Sequence, residues 1–500
     1  MITRRSFTAA LVSGAALLLG LAAASPGTAR AQTTNTAGCV TTASKVVPGV
    51  EIADPACEFS GTAYTGPFAP IANASGQLSK TWTGIASDGG AYRAEVPPGW
   101  NGTLVMFAHG YAGTGNVVWV QDPQLRQYFV DHGFAWAASS YAMNGYDPGD
   151  GVTATHDLLA AFPRITGLRA RQVIMSGLSM GGEITTAEIE AYKGQFAGAM
   201  PYCGVLAGSN LFDYYLGANV TAAALTHTSI SYPTTAAAGA AYAAAYQALV
   251  QSELPKLGIT PGPGGLTFTT SLTKTGELWS DAVEQLSGGT RPGFASALGY
   301  WNSFGFAPLT EAPFLFGLYP GLTGGTLGLA NGSVAGNERT FYTLSDNPFQ
   351  MLPEEIALNA AVLRVPVTAT SSADALTPAE EPVIHGDPGI PVLSIHGIGD
   401  LFVPLSMDQQ YDRLMIAHGE GRLFADRAIR EVTHCGYTTN ELASGFAALV
   451  SWIHTGIRPA GDNILNPREV ASPTFGCRFT DPAPGAHPEF QGLLCPHQAN

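Results

Sequence analysis

Ser179 lies in Gly177-Leu178-Ser179-Met180-Gly181-Gly182, between a short apolar run at residues 172–175 (QVIM) and a helix-length segment at 180–192. A serine hydroxyl attacks a carbonyl only with help. A base must take its proton, and hydrogen-bond donors must hold the oxyanion that forms. A serine on a sharp strand-to-helix turn offers its Oγ above the sheet edge, at a helix N-terminus whose dipole favours developing negative charge. Glycines flanking that turn let neighbouring backbones come close enough to form it. In a chain with 60 glycines the G-x-S-x-G pattern is weak by itself and takes its meaning from the strand before it and the helix after it.

The elements around this serine repeat one rhythm. Apolar runs at 103–108 (TLVMFA), 133–139 (GFAWAAS), 172–175 and 196–201 (FAGAMP) alternate with helical segments such as 152–162 and 180–192. Short apolar strands alternating with helices predict an α/β protein with a mostly parallel sheet covered on both faces. The rhythm stops after Cys203 and returns at 391–396 (PVLSIH), followed by helix 406–418, strand 428–432 and helix 438–454. Residues 205–388 therefore read as a large insertion, expected to form a lid over Ser179, helical at 236–254 and dense in aromatic residues at 300–319. Those rings either build the insertion's own core or line an apolar acyl pocket. The remaining divisions are a leader at 1–31, an N-terminal extension with the first strands at 32–101, two core parts at 102–204 and 389–460, and a Pro-rich tail at 461–500.

With its strand-turn-helix context, the serine motif resembles the serine hydrolases of the α/β-hydrolase fold, over residues 102–203 and 389–459. That resemblance implies the order nucleophile, acid, histidine. The acid it implies is Asp400, in Gly397-Ile398-Gly399-Asp400-Leu401-Phe402-Val403-Pro404, a strand-then-acid loop ending in Val-Pro. Asp374, in the insertion, and Asp408, in the next helix, are its rivals. His434, in Thr433-His434-Cys435-Gly436, stands where the superfamily places its base, 34 residues after Asp400. His418 and His454 fall at helix ends, and His396 reads as a core histidine within its strand. The resemblance also implies two oxyanion donors, the Met180 N–H and an N–H from His109-Gly110-Tyr111, with Tyr111 favoured over Gly110 and His109 bracing the loop. The His434-Cys435 pair is similar to secreted tannases and feruloyl esterases, in which a Cys beside the nucleophile is bridged to a Cys beside the histidine. Here position 178 is Leu.

Composition narrows the setting. Only 12 % of the 500 residues are charged, against roughly a quarter in an ordinary soluble domain, and 38 acidic against 23 basic groups give a net charge of −15. Nucleic acid and anionic membrane surfaces are thereby poor partners. Arg4-Arg5 precedes an apolar run at 9–24 and a small-residue site at Ala29-Arg30-Ala31, which reads as a twin-arginine export signal and predicts a periplasmic or extracellular product that leaves the membrane once the signal is removed. Six cysteines fit an oxidising compartment. Spacing favours Cys39 with Cys57 and Cys477 with Cys495, leaving Cys203 with Cys435. The spacings H-E-x-x-H, C-x-x-C and an acidic calcium loop are absent from the sequence, so neither a metal nor another cofactor is expected. The resemblance implies hydrolysis of a small-molecule carboxylic ester through an acyl-enzyme on Ser179, with an amidase, including one for aromatic-acyl, phthalyl-type amides, or an exopeptidase as the alternative.

Overall fold

A computed structural model of the chain describes residues 41–43, 51–53, 62–112, 117–142, 144–231, 239–262, 267–306, 309–317, 335–347, 349, 351–367, 382–490 and 495. The leader, Cys39, Cys57, Asp374 and Tyr319 lie outside them.

Eight strands form the central sheet: β1 (Lys80–Ile85), β2 (Ala91–Val96), β3 (Thr103–Ala108), β4 (Ala135–Ser139), β5 (Gln172–Leu178), β6 (Gly198–Tyr202), β7 (Val392–Gly397) and β8 (Phe424–Ile429). Their spatial order is β1-β2-β4-β3-β5-β6-β7-β8. Strand β2 runs antiparallel to both β1 and β4, and every other pairing is parallel. All six residues of β3 are buried because the sheet is covered on both sides, which is why its sequence is continuously apolar.

The helices that bear on the site are α1 (Pro148–Thr166), α2 (Met180–Ala191), α3 (Asn210–Leu225), α4 (Lys274–Leu286), α5 (Phe294–Trp301), α6 (Ser406–Ala417) and α7 (Thr439–Thr455). Leu104 and Met106 of β3 pack in one apolar cluster with Leu158 of α1, Ile184 of α2 and Met415 of α6. Val105 and Phe107 face the opposite cluster, with Leu442 and Phe446 of α7. Alternate residues of one strand thus serve two cores.

Strands β1 and β2 fall within 32–101, where the first strands are expected, and their half-buried sequences KTWTGI and AYRAEV lack the apolar run of the inner strands. One strand assignment changes against the sequence reading. The last strand is Phe424–Ile429 rather than 428–432. Asp426 and Arg427 disguise it, yet Asp426 is buried, and burial with Asp408 close by pushes its carboxyl pKa well above the ordinary range. Between β6 and β7 the insertion extends the cluster of Leu104 and Met106: Trp279 stacks on Phe316 at 5.4 Å and its indole N–H donates to the Ala218 carbonyl at 2.9 Å.

The turn after β5 is packed backbone against backbone. A Cβ on Gly177 would lie 2.1 Å from the Gly181 oxygen, and one on Gly181 would lie 2.1 Å from the Ala108 oxygen. Gly177→Ala and Gly181→Ala are therefore each expected to cost about 2 kcal/mol or more in thermal or denaturant unfolding. A variant as stable as the parent would mean that β3, β5 and α2 pack less tightly than described.

Candidate active site

Ser179 caps the N-terminus of α2 with φ 57° and ψ −123°, a backbone conformation that non-glycine residues rarely adopt. It is 5 % exposed, and its neighbours hold it there: its N–H donates to the Tyr202 carbonyl at 3.3 Å and its carbonyl accepts from Gly182 and Val205. The Met180 N–H is among the first of α2, which have no acceptor within the helix. The loop after β3 lies directly against the serine, since a Cβ on Gly110 would come within 2.9 Å of the Ser179 Cβ. The next N–H, that of Tyr111, has no hydrogen-bond acceptor among the described residues.

His109 supports that loop from below. Its Nδ1 lies 2.6 Å from the Gly110 carbonyl, and its ring stacks on Tyr141, whose hydroxyl donates to the His109 carbonyl. Burial lowers the His109 pKa, so the ring is a neutral brace.

Asp400 and His434 come together from the loops after β7 and β8. The His434 Nδ1 is 2.5 Å from Asp400 Oδ2, and both side chains are fully buried. Asp400 Oδ1 accepts from the N–H groups of Phe402 at 2.8 Å and Val403 at 3.0 Å, which fixes the carboxylate plane. With Nδ1 engaged, the other ring nitrogen, Nε2, is buried without a partner. The edge of Phe402 meets the His434 ring at 4.9 Å.

Asp408, the described rival, is turned to another task. It lies 2.5 Å from His396 Nδ1 and accepts from the Ser394 hydroxyl, while His396 Nε2 bonds the Val403 carbonyl. His418 caps the exposed end of α6, and His454 occupies the last turn of α7.

The histidine loop is tied to the sheet beside the serine. Cys203 and Cys435 form a disulfide with Cα atoms 5.3 Å apart. Tyr202 stands opposite Leu178 in the β5–β6 pairing, so Cys203 and Ser179 leave adjacent strands, spaced about 4.8 Å, at the same level. The bridge brings the segment that carries His434 to the strand end beside Ser179. Both sulfurs and a His434 ring nitrogen lie within 4.8 Å of one another, but a disulfide offers no thiolate to a metal.

The sheet order, the single reversed strand, the glycine-flanked turn after β5 and the acid and histidine loops after β7 and β8 together decide the architecture. The chain has the α/β-hydrolase fold. No protein-family profile matches it. A 77-residue stretch is 30 % identical to o-phthalyl amidase from Xanthobacter agilis, covering 15 % of this chain and 17 % of the amidase. Among solved structures, feruloyl esterase B from Aspergillus oryzae is similar with a TM-score of 0.41 at 14 % identity, over 78 % of this chain and 86 % of the esterase. Acylaminoacyl peptidase from Pyrococcus horikoshii gives 0.34 at 9 %, over 79 % and 44 %.

Within this hydrolase fold the insertion grips the acid loop. Successive carbonyls accept from different side chains: Ile398 from Arg291 Nε at 2.6 Å, Gly399 from Trp301 Nε1 at 3.1 Å, Leu401 from the Tyr214 hydroxyl at 3.2 Å and Phe402 from the Tyr215 hydroxyl. Trp301 Nε1 also reaches the Val432 carbonyl at 3.0 Å, so one indole joins the acid loop to the histidine loop. Of the aromatic stretch, Trp301, Phe314 and Phe316 are fully buried, and Trp301 packs on Phe314 at 4.5 Å. Sequence reasoning placed Trp301 among rings of the insertion's core or pocket and gave no signal for its N–H, because the two acceptors are backbone carbonyls from distant segments.

Trp301→Phe keeps a ring in place and removes that donor. Leaving two buried carbonyls without it is expected to cost about 1–3 kcal/mol and to lower kcat at unchanged KM. Turnover equal to the parent would show that the two loops keep their spacing without the indole.

Proposed function

We propose that this chain is a secreted serine hydrolase that cleaves a carboxylic ester through an acyl-enzyme on Ser179. The observation that carries the reading is the buried His434–Asp400 pair with a free Nε2, tied by the Cys203–Cys435 bridge beside a serine in strained backbone. Ser179 Oγ attacks the ester carbonyl while His434 Nε2 takes the hydroxyl proton. Asp400 fixes the tautomer and stabilises the imidazolium. The Met180 and Tyr111 N–H groups receive the oxyanion. Collapse of the tetrahedral intermediate breaks the ester C–O bond, and His434 returns the proton to the departing alcohol. Water, deprotonated by His434, then attacks the acyl-enzyme, releases the carboxylic acid and restores Ser179.

Export is supported by the Arg4-Arg5 leader and by disulfides at Cys203–Cys435 and Cys477–Cys495. No described helix is long and apolar enough to cross a membrane. The reading extends to the insertion as a lid over Ser179, supported by its side chains that hold the acid loop. A second reading, amide hydrolysis by the same residues, is favoured by the local match to o-phthalyl amidase. The two differ in how readily His434 protonates an amine leaving group.

Ser179→Ala is expected to lower turnover at least ~100-fold with an unchanged melting temperature. Retention of half the activity would remove Ser179 from the mechanism. On p-nitrophenyl esters and anilides of matched acyl groups, the ester reading predicts faster ester turnover, and faster anilide turnover would replace it with the amidase reading.

A further inference from the structure

The C-terminal tail runs back over the histidine loop. Asp462 pairs with the backbone of β8, its N–H donating to Asp426 O at 2.8 Å and its carboxylate accepting from Ala428 N–H at 2.9 Å. Thr480 Oγ1 accepts from the Arg430 N–H at 2.8 Å, and Arg430 Nε donates to the Phe475 carbonyl at 3.0 Å. Farther along, the two nitrogens of His487 meet two buried glutamates, Nδ1 at 2.5 Å from Glu431 Oε2 and Nε2 at 2.8 Å from Glu441 Oε1. These glutamates are the ends of the segment that carries His434 and Cys435. Glu431 Oε1 accepts from the N–H and hydroxyl of Thr433, the residue before His434, at 2.6 and 2.8 Å. Glu441 closes the capping box of α7 by accepting from the Thr438 N–H at 2.8 Å, and it also accepts from the Asp481 N–H in the tail.

We propose that His487 is a positioning residue for the reaction, a cationic clamp that fixes the spacing of Glu431 and Glu441 and so holds His434 against Asp400. The inference rests on the assignment of Ser179, Asp400 and His434 above. An imidazole facing carboxylates at both nitrogens must donate from both, so the ring is an imidazolium. Without it two buried carboxylates bracket the loop with no cation bridging them, and repulsion between them opens the segment. Burial disfavours the charge, but the hydrogen bonds and field of the two glutamates outweigh it and hold the His487 pKa at about 10. Its contribution to stability is therefore complete below the unfolded value of ~6.5 and is lost as pH rises through about 10. The tail also reaches the insertion: a Cβ on Gly293, the N-cap of α5, would lie 2.2 Å from the Phe490 ring.

The test compares wild type, His487→Ala and His487→Gln on one p-nitrophenyl ester, with rates normalised to active sites titrated by a fluorophosphonate, and Ser179→Ala, which has no serine to titrate, with its rate taken per mole of protein. The clamp predicts that His487→Ala lowers kcat per titrated site by about tenfold or more while KM stays within about twofold. His487→Gln, which can still donate to a carboxylate, falls between, and it carries the test if the alanine variant does not fold. Unchanged kcat per titrated site would overturn the clamp, even alongside a lower melting temperature. A wild type without ester or anilide turnover, or a Ser179→Ala variant as active as wild type, would instead overturn the hydrolase assignment.

Discussion

Backbone strain gathered at one point is the constraint on which the rest of the structure depends. Among the described residues five non-glycines have positive φ, and four of them, Tyr141, Ser179, Cys203 and Cys435, border the same site. Each such conformation costs on the order of 1–3 kcal/mol and persists only where its surroundings determine it. The surroundings here are specific. Gly177 and Gly181 let β5 and α2 close on β3, the disulfide joins two of the strained residues to each other, and Tyr141 stacks on the histidine that supports the Gly110 turn.

Around that point three parts of the chain converge on two loops. The sheet supplies the loops themselves, after β7 and β8. The insertion binds the acid loop through Arg291, Trp301, Tyr214 and Tyr215, and the tail binds the histidine loop through His487 and the contacts of Arg430. Beneath them the His396–Asp408 pair reaches the Val403 carbonyl, whose own N–H serves Asp400. Polar groups so deep in a protein are costly unless each has a partner, and the partners here come from segments far apart in sequence.

The inner strands, the helices after them and the location of the insertion were legible in the sequence, because strands buried on both faces carry uninterrupted apolar runs. The elbow was legible from glycines around Ser179 with the strand before and the helix after it, and Asp400 and His434 through the resemblance to α/β-hydrolase-fold serine hydrolases. The strands β1 and β2 were less so, since half-buried strands lack a continuous apolar run. The start of β8 was hidden by Asp426 and Arg427, charged residue types in place of an apolar run, although Asp426 is buried and desolvation pushes its carboxyl towards the neutral form. The bridge between Cys203 and Cys435 followed from pairing the other cysteines by spacing. Trp301, Arg291 and His487 left no trace, because a side chain that serves backbone carbonyls or distant glutamates has no local pattern to betray it.

The central claim is that Ser179 is a nucleophile activated by His434. Its most direct measurement is mass-spectrometric mapping of the peptide labelled by a fluorophosphonate in the wild-type protein and in His434→Asn. The account predicts a single adduct on Ser179 in the wild type and at least ~100-fold slower labelling in the variant. An adduct on another residue, or labelling of Ser179 at the same rate without His434, would contradict it.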